Sequence, residues 1–394
     1  MERTLSTNPE SLGSSKRVAI VGAALSDCGR VDDKTAFELH YQATARAIAD
    51  AGLTKDAIDG FGSCGTGMQP PVEVAEYCGL RPNWVDSTSV GGSSWEFMVE
   101  HATAAIQAGH VETVVLAYGS TTRADLKKKR RMANIAFAAR GPYQFDVPFG
   151  HTLISKYAMV TRRHMIEFGT TIEQLAEVAV STRYNASLNP EAYYRDPITI
   201  DDVQNSRMIA DPFTKLHCCI RSDGGGAVVL TSEERARDLA QTPILVLGTG
   251  EAVSHTTMSE WPDVTESPAY RSGRLAFERA GVTPADIDCC QFYDAFTGSV
   301  VLTFEALGFC GKGEGGAYVA DGKLRLGGAM PTNTDGGGLS ACHPGMRGMF
   351  LLVEAVRQLR GQADGRQVPD AELCAVNGTG GWFTSTSTLI LGRG

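Results

Sequence analysis

Ala51-Gly52-Leu53-Thr54-Lys55-Asp56-Ala57-Ile58-Asp59 returns in the second half of the chain as Ala280-Gly281-Val282-Thr283-Pro284-Ala285-Asp286-Ile287-Asp288, in the same register. Each copy is preceded by a strand-like run, 17–23 and 244–248, and then by a helical stretch. Each is followed at some distance by a Gly/Ser-rich loop, an apolar helix and a buried strand. In the first half these are Val90-Gly91-Gly92-Ser93-Ser94, residues 95–108 and residues 113–117. In the second they are the loop around His343, residues 346–360 and residues 372–376. Both halves close on a last strand, 227–230 and 388–391. The expectation is an α/β fold of two duplicated βαβαβ lobes packed around a pseudo-twofold axis, 17–240 and 241–394, after a disordered tail over 1–16. Loops at matching ends of the lobes should converge on a crevice beyond the carboxyl ends of the strands. Between about 120 and 220 the pattern weakens into an insertion rich in Arg, Tyr and His, expected to cover that crevice.

Composition narrows the class. With 394 residues, 43% hydrophobic and 21% charged, the chain has the make-up of a folded protein of about two or three ordinary domains. A net charge of −9 argues against nucleic acid as the main partner, because neutralising phosphates takes an excess of Lys and Arg on one face. The basic run Lys127-Lys128-Lys129-Arg130-Arg131 reads as a solvated loop, or as a contact for the phosphates of a nucleotide-bearing substrate. No stretch of ~18 apolar residues offers a membrane span, and the polar start lacks a signal peptide's apolar segment, so a cytoplasmic protein is expected. Ten cysteines without regular spacing suit a reducing compartment. The adjacent pairs Cys218-Cys219 and Cys289-Cys290 lack the spacing with which two thiolates share one zinc, and no metal is expected.

Two segments carry candidate chemistry. The loop Asn333-Thr334-Asp335-Gly336-Gly337-Gly338-Leu339-Ser340-Ala341-Cys342-His343-Pro344-Gly345 runs into helical spacing, with Met349, Leu352, Val353 and Val356 at i, i+3, i+4 and i+7. Pro344 suits the first helical position, which predicts His343 as the N-cap, where the positive end of the helix dipole favours a neutral, proton-accepting imidazole. Three consecutive glycines are costly to order unless the backbone needs unusual φ/ψ or a close approach, which favours a mounted catalytic base over a histidine that merely ends a loop. The second segment is Phe292-Tyr293-Asp294-Ala295-Phe296, after a buried strand over 287–291 and before an apolar helix, which stands Tyr293 at a strand end. An interface aromatic with a satisfied hydroxyl is the bland alternative for Tyr293. In the first half Ser93-x-x-Glu96 reads as a capping box, preferred over Ser93 as a nucleophile.

Four motifs in order, Tyr293-Asp294-Ala295-Phe296, Gly308-Phe309-Cys310-Gly311-Lys312-Gly313-Glu314, the 333–345 loop and Asn377-Gly378-Thr379-Gly380-Gly381, resemble the thiolase superfamily. With Asp211-Pro212-Phe213 and Ser222-Asp223-Gly224-Gly225-Gly226, the chain is most similar to the sterol-carrier-protein-X and bacterial lipid-transfer-protein branch, over nearly everything after residue 17. The resemblance implies a thiolase-like fold in five layers, α-β-α-β-α, and a pocket for an acyl-CoA thioester that is substrate, with no separate cofactor. In true thiolases the loop opening the first-lobe helix presents a nucleophilic cysteine. Here that loop reads Gly91-Gly92-Ser93-Ser94-Trp95. A thiolate at a helix N-terminus is acidified, whereas a serine hydroxyl is not ionised without a dedicated base, so covalent acyl transfer is not expected. The family's second, acid/base cysteine has Asn377 near its place. Cys374 lies inside a buried run, and Cys342 replaces neither thiol by position.

Tyr293 stands where thiolase relatives place Asn or His, and His343 takes the His-Pro position. That pattern resembles the steroid side-chain aldolases of the branch, in which the Tyr-Asp-Ala-Phe tyrosine is catalytic and another tyrosine often occupies the position of His343. The implied reaction is non-covalent retro-aldol cleavage of a bulky 3-hydroxyacyl-CoA to a ketone and a shorter acyl-CoA. One of Tyr293 and His343 removes the hydroxyl proton and the other protonates the enolate. A phenol of pKa ~10 is a poor base, which favours His343 as the first base. Backbone N–H groups at Gly91, Gly92 and Ser93 and over Asn377, Gly378, Gly380 and Gly381 are expected to bind the enolate oxygen, about 3 kcal/mol per well-aimed donor. The rival readings are an acyltransferase with an atypical nucleophile (Ser93, Ser94 or Cys342) and a non-catalytic acyl-CoA or lipid-binding subunit. The resemblance also implies a homodimer through the first-lobe sheet and a small OB-fold partner protein. Phe137, Tyr143, Phe145, Phe149, Tyr157 and Met159 in the insertion suit a bulky apolar acyl group, and equally a core or a dimer face.

Overall fold

The computed structural model describes residues 16–127, 141–150 and 152–394; residues 1–15 of the expected tail, Phe137 and positions 128–131 of the basic run lie outside the described residues. The apolar runs become strands β1 (Val18–Leu25), β2 (Gly60–Gly62), β3 (Trp84–Asp86), β4 (Thr113–Ser120), β5 (Gly224–Ser232), β6 (Ile244–Val253), β7 (Cys289–Phe292), β8 (Leu373–Gly380) and β9 (Ser385–Arg393). The long helices are α1 (Ala36–Asp50), α2 (Pro70–Tyr77), α3 (Ser94–Gln107), α4 (Leu153–Phe168), α5 (Ile172–Ser187), α6 (Ala269–Ala280), α7 (Thr297–Ala306) and α8 (Gly348–Leu359). Among the described residues the nine strands form one sheet, in the order β3-β2-β4-β5-β1-β6-β9-β8-β7.

That order is its own mirror image about the β1–β6 junction. β1 pairs antiparallel with β5 and β6 with β9, then come β4 and β8, each carrying a parallel neighbour, β2 or β7. The halves are sewn together only at Ala19↔Leu245 and Ile20↔Ile244. The counterpart of β3 is reduced to a parallel bridge between Cys290 and Thr332. α1 lies on β1, β4 and β5, and α6 on β6 and β9, while α3 and α8 touch each other and strands of both halves. The helices therefore make outer layers and one shared middle layer around the two half-sheets, the five-layer thiolase-like arrangement.

The repeated segment does the same work in both places. Gly52 and Gly281, both left-handed at φ 71° and 70°, stop α1 and α6. A 3₁₀ turn follows, Lys55–Ala57 or Pro284–Asp286. The closing aspartates then cap the neighbouring strand: Asp59 accepts from the N–H of Glu112 and Thr113, and Asp288 from the N–H of Glu372 and Leu373.

From 152 on, the 120–220 insertion is more ordered than its sequence pattern suggests. α4 and α5 are long and packed, α4 against α7 and α5 against α7 and the turn Gly337–Ala341. The helical period is blurred because polar residues occupy buried positions with partners. His164 Nε2 meets Glu305 at 2.9 Å, and Arg183 Nε donates to Ser340 Oγ at 2.7 Å. No described helix is long and apolar enough to cross a membrane.

Candidate active site

Tyr293 leaves the end of β7 with its N–H donated to the Asn377 carbonyl on β8, 3.0 Å. The next residue, Asp294, is fully buried and accepts from the N–H groups of Gly338 (2.7 Å) and Leu339 (3.0 Å). This explains the triple glycine. Gly336 and Gly337 have φ of 100° and 63°, and a methyl on Gly337 would overlap the Asp294 carboxylate. Arg347, 0% exposed, closes the arrangement by donating to both oxygens of Asp335 (2.6 and 2.7 Å) and to the Cys342 carbonyl (2.9 Å), with its Nε 3.4 Å from Asp294. Burial pushes Asp294 up to about 6, and the Arg347 charge limits the rise.

The turn so anchored delivers His343. Its N–H donates to Ser222 Oγ at 2.9 Å, and the following Pro344 carbonyl accepts from Tyr118 Oη at 2.7 Å. Its Nε2 lies 3.1 Å from Tyr293 Oη. Burial, then the positive charge of Arg347, lowers the imidazole to about 4. Burial holds the Tyr293 phenol well above its usual range. Both groups are therefore neutral near pH 7, and in the tautomer with its proton on Nδ1 the imidazole accepts from the tyrosine hydroxyl. The neutral histidine expected from sequence is present, but its predicted cause is not. The helix begins at Gly348 with Arg347 as N-cap residue, and Gly337–Ala341 forms a π-type turn, so His343 caps no helix. Burial, aided by the fixed charge of Arg347, does the work assigned to the helix dipole.

From the other half of the sheet comes the loop before α3. A methyl on Gly92 would lie 2.5 Å from both Tyr293 Cζ and the Thr379 carbonyl oxygen, so the tyrosine ring rests directly on the Gly92 backbone. Gly91, at φ 81°, abuts the Gly380–Gly381 backbone. The structure thus gathers Tyr293, His343, Gly91, Gly92, Gly380 and Gly381 at one place. Ser93 is buried beside them with Oγ 2.9 Å from Ser385 Oγ. Two expected residues face elsewhere. The Asn377 side chain turns to the outer side of the sheet, donating to Thr388 Oγ1 at 2.9 Å, and Gly378 packs 2.9 Å from Ser93 Cα when given a methyl.

The Ser93/Glu96 capping box does not form. Ser93 makes no capping hydrogen bond, and both carboxylate oxygens of Glu96 lack a partner among the described residues, because the Ser93 side chain reaches across to β9. Burial pushes Glu96 up to about 8. No sequence signal distinguished this residue from a capping glutamate. Arg347 and Asp335 carry no motif signal of their own beyond being the two charges of an otherwise apolar and glycine-rich stretch, 333–353.

The two thiols near the crevice differ: at Cys342 burial is outweighed by hydrogen bonds from Cys28 and Ser222 and by the Arg347 charge, which hold the thiol below its usual range, whereas Cys219 is a poor nucleophile. Cys342 Sγ is 3.1 Å from Ser222 Oγ, on the side of Cys28 and Gly224. Cys219, whose N–H donates to the Ala295 carbonyl, is pushed up to about 12 by burial. A buried aromatic wall stands beside the Gly380–Gly381 turn: Phe213 stacks on Phe296 at 5.2 Å, Tyr157 lies 4.7 Å from Phe296 and 4.9 Å from Phe383, and Tyr157 Oη donates to the Gly381 carbonyl at 3.0 Å. Of the insertion aromatics, Tyr157 belongs to this wall, Tyr143 packs on Trp382, and Phe145, Phe149 and Met159 are exposed.

Comparison with known proteins agrees with this fold. Residues 250–393 match the family described as "Thiolase C-terminal domain-like". The chain is 34% identical to a 17-hydroxy-3-oxo-4-pregnene-20-carboxyl-CoA lyase of Mycobacterium tuberculosis, over 96% of this chain and 100% of that protein. It is also 34% identical to an acetyl-CoA acetyltransferase of Methanothermobacter thermautotrophicus, over 95% and 99% of the two chains. Among solved structures, an Ltp2-ChsH2(DUF35) aldolase superposes with a TM-score of 0.86 at 34% identity, covering 96% of this chain and 98% of that one. The chain belongs to the thiolase superfamily, in the branch of sterol carrier protein 2 and the steroid side-chain-cleaving aldolases.

Proposed function

We propose that the protein cleaves a bulky 3-hydroxyacyl-CoA by a non-covalent retro-aldol reaction, giving a ketone and a shorter acyl-CoA. The observation that carries this reading is the Tyr293 ring lying on Gly92 of the first-lobe loop, where even a methyl would strike the ring. A nucleophile cannot be mounted there, and what remains is a pair of proton-transfer groups in hydrogen-bond contact. As the 3-hydroxyl gives its proton to the Tyr293 oxygen, the phenol proton passes to His343 Nε2. The C2–C3 bond breaks, its electron pair becomes the thioester enolate, and C3 becomes the ketone carbonyl. The proton then returns through Tyr293 to C2, and no atom or charge is left over. Backbone N–H groups of the loops at Gly91 to Ser93 and Gly380 to Gly381 supply the donors for the enolate oxygen, about 3 kcal/mol for a well-aimed one. The aromatic wall from Phe213 to Trp261 supports a polycyclic, steroid-like acyl group.

Incubation with a tertiary 3-hydroxyacyl-CoA is expected to release ketone and shorter acyl-CoA with no mass added to the protein. An acyl adduct by mass spectrometry would instead support the acyltransferase reading, which one relative's name favours. The Ltp2-ChsH2(DUF35) pairing of the related aldolase supports a second, small OB-fold partner protein here. A homodimer through the first-lobe sheet is supported by the edge strand β3, where Val85 and Val72 of the adjoining α2 are exposed and line one shallow cavity.

A further inference from the structure

Glu96 sits in the first turn of α3, on the far side of Gly92 from Tyr293, and is 0% exposed. Its room is made by glycines of two other elements. A methyl on Gly378 of β8 would lie 2.5 Å from Glu96 Cδ. One on Gly348 of α8 would lie 2.5 Å from Glu96 Oε2 and would also overlap the Gly92 carbonyl oxygen. The carboxyl and the Gly92 carbonyl therefore crowd one methyl-sized space. Neither Glu96 oxygen has a partner on another described residue, and the one donor facing the carboxyl, its own N–H, offsets burial only in part.

The charged and titratable groups around it are engaged elsewhere. Glu100, one turn along α3, takes Arg279 Nη1 at 2.7 Å. Glu251 of β6, in register with Ser387 of β9, lies 3.4 Å from His101 Nε2. Arg347, just before α8, is turned to Asp335, Asp294 and the Cys342 carbonyl, and Tyr293 and His343 are paired with each other. A carboxylate placed against a carbonyl oxygen without a donor is repelled, whereas a carboxylic acid can turn its O–H toward that oxygen.

Resting on the cleavage reading, we infer that Glu96 is a positioning residue that works as a neutral carboxylic acid. Its O–H steadies the Gly92 carbonyl, and its lack of charge leaves the field behind Gly92 open to a developing enolate. A trans peptide points its C=O and N–H in opposite directions, so a Gly92 carbonyl held by Glu96 fixes the orientation of the Ser93 N–H, at the end of the 3₁₀ turn Gly91–Ser93. Ionisation of Glu96 releases that carbonyl and sets a negative charge behind the donor. The burial that raises its proton affinity to a pKa of about 8 places the change within a measurable range.

The test uses the full chain. In the wild type, kcat for cleavage is expected to fall about tenfold per pH unit above about 8, with KM little changed. Glu96→Gln, a neutral isostere, is expected to keep kcat at neutral pH within about twofold and to lose the alkaline fall. Glu96→Ala lowers kcat about tenfold or more at every pH, which separates positioning from charge alone. Independently of substrate, the infrared carbonyl band of a protonated carboxyl in the wild type at pH 7 is expected to vanish above about pH 8 and to be missing in Glu96→Gln. The inference is overturned if Glu96→Gln keeps the wild-type alkaline fall, or if the wild type shows no such band at pH 7. Undiminished cleavage by Tyr293→Phe would instead overturn the function reading and leave the band untouched.

Discussion

Tyr293 and His343 each depend on the other's neutrality. Were the imidazole charged, it would have no lone pair for the phenol proton, and burial beside Arg347 prevents that charge down to a pKa of about 4. Tyr293→Phe keeps the ring on Gly92 but removes the proton path, and is expected to lower kcat by about 10²–10⁴-fold with an unchanged melting temperature. His343→Ala should do the same. The acid limb of kcat/KM is expected near pH 4, because activity needs the neutral imidazole and its affinity for a proton is depressed. Stability follows the same sign. His40, His217 and His343 are all lowered to about 4 by burial, so the unfolded chain binds more protons between about 4 and 6.5. Their contribution is fully present above about 6.5 and is lost as pH falls toward 4, which a series of melting curves across that window will register.

The glycine-rich turn that mounts His343 is held as an element by ions, and its glycines are a consequence of that. Asp294, Asp335 and Arg347 are buried together, and removing the cation leaves two carboxylates without compensation. Arg347→Ala is expected to cost about 3–5 kcal/mol in denaturant unfolding, more than the loss of either functional side chain at the crevice. The opposing loop is set by contact. Gly92→Cys puts a side chain into the Tyr293 ring, so it is expected to abolish cleavage, to destabilise by about 1–3 kcal/mol, and to form no acyl adduct with acyl-CoA. At this scale the sequence was legible in part. α3 and α8 lie within a residue or two of the helices their spacing predicts, because apolar periodicity reports burial directly. The first-turn chemistry was not legible: Ser93 and Glu96 have a capping pair's spacing, yet Ser93 is drawn to Ser385 on another strand.

Across the whole molecule, two half-sheets meet at a narrow seam and share a helical middle layer, so the crevice exists only where both lobes are in place. The outer edge at β3 is the surface most in need of cover. Val85→Lys, on that edge, is expected to convert the proposed homodimer to a monomer in size-exclusion with light scattering, without changing the monomer's circular dichroism. The duplication, the strands and the class of fold are determined by the sequence alone, since the helix stop at Gly52 or Gly281 and the strand cap at Asp59 or Asp288 are local devices written twice. The meeting of Tyr293 with His343, 50 residues apart, and with Gly92 from the opposite lobe was decided by the tertiary structure. So was the partnerless carboxyl of Glu96. Spacing along a chain records which groups are near in sequence, but proton affinity and reach depend on what the fold packs around them and on which water it removes.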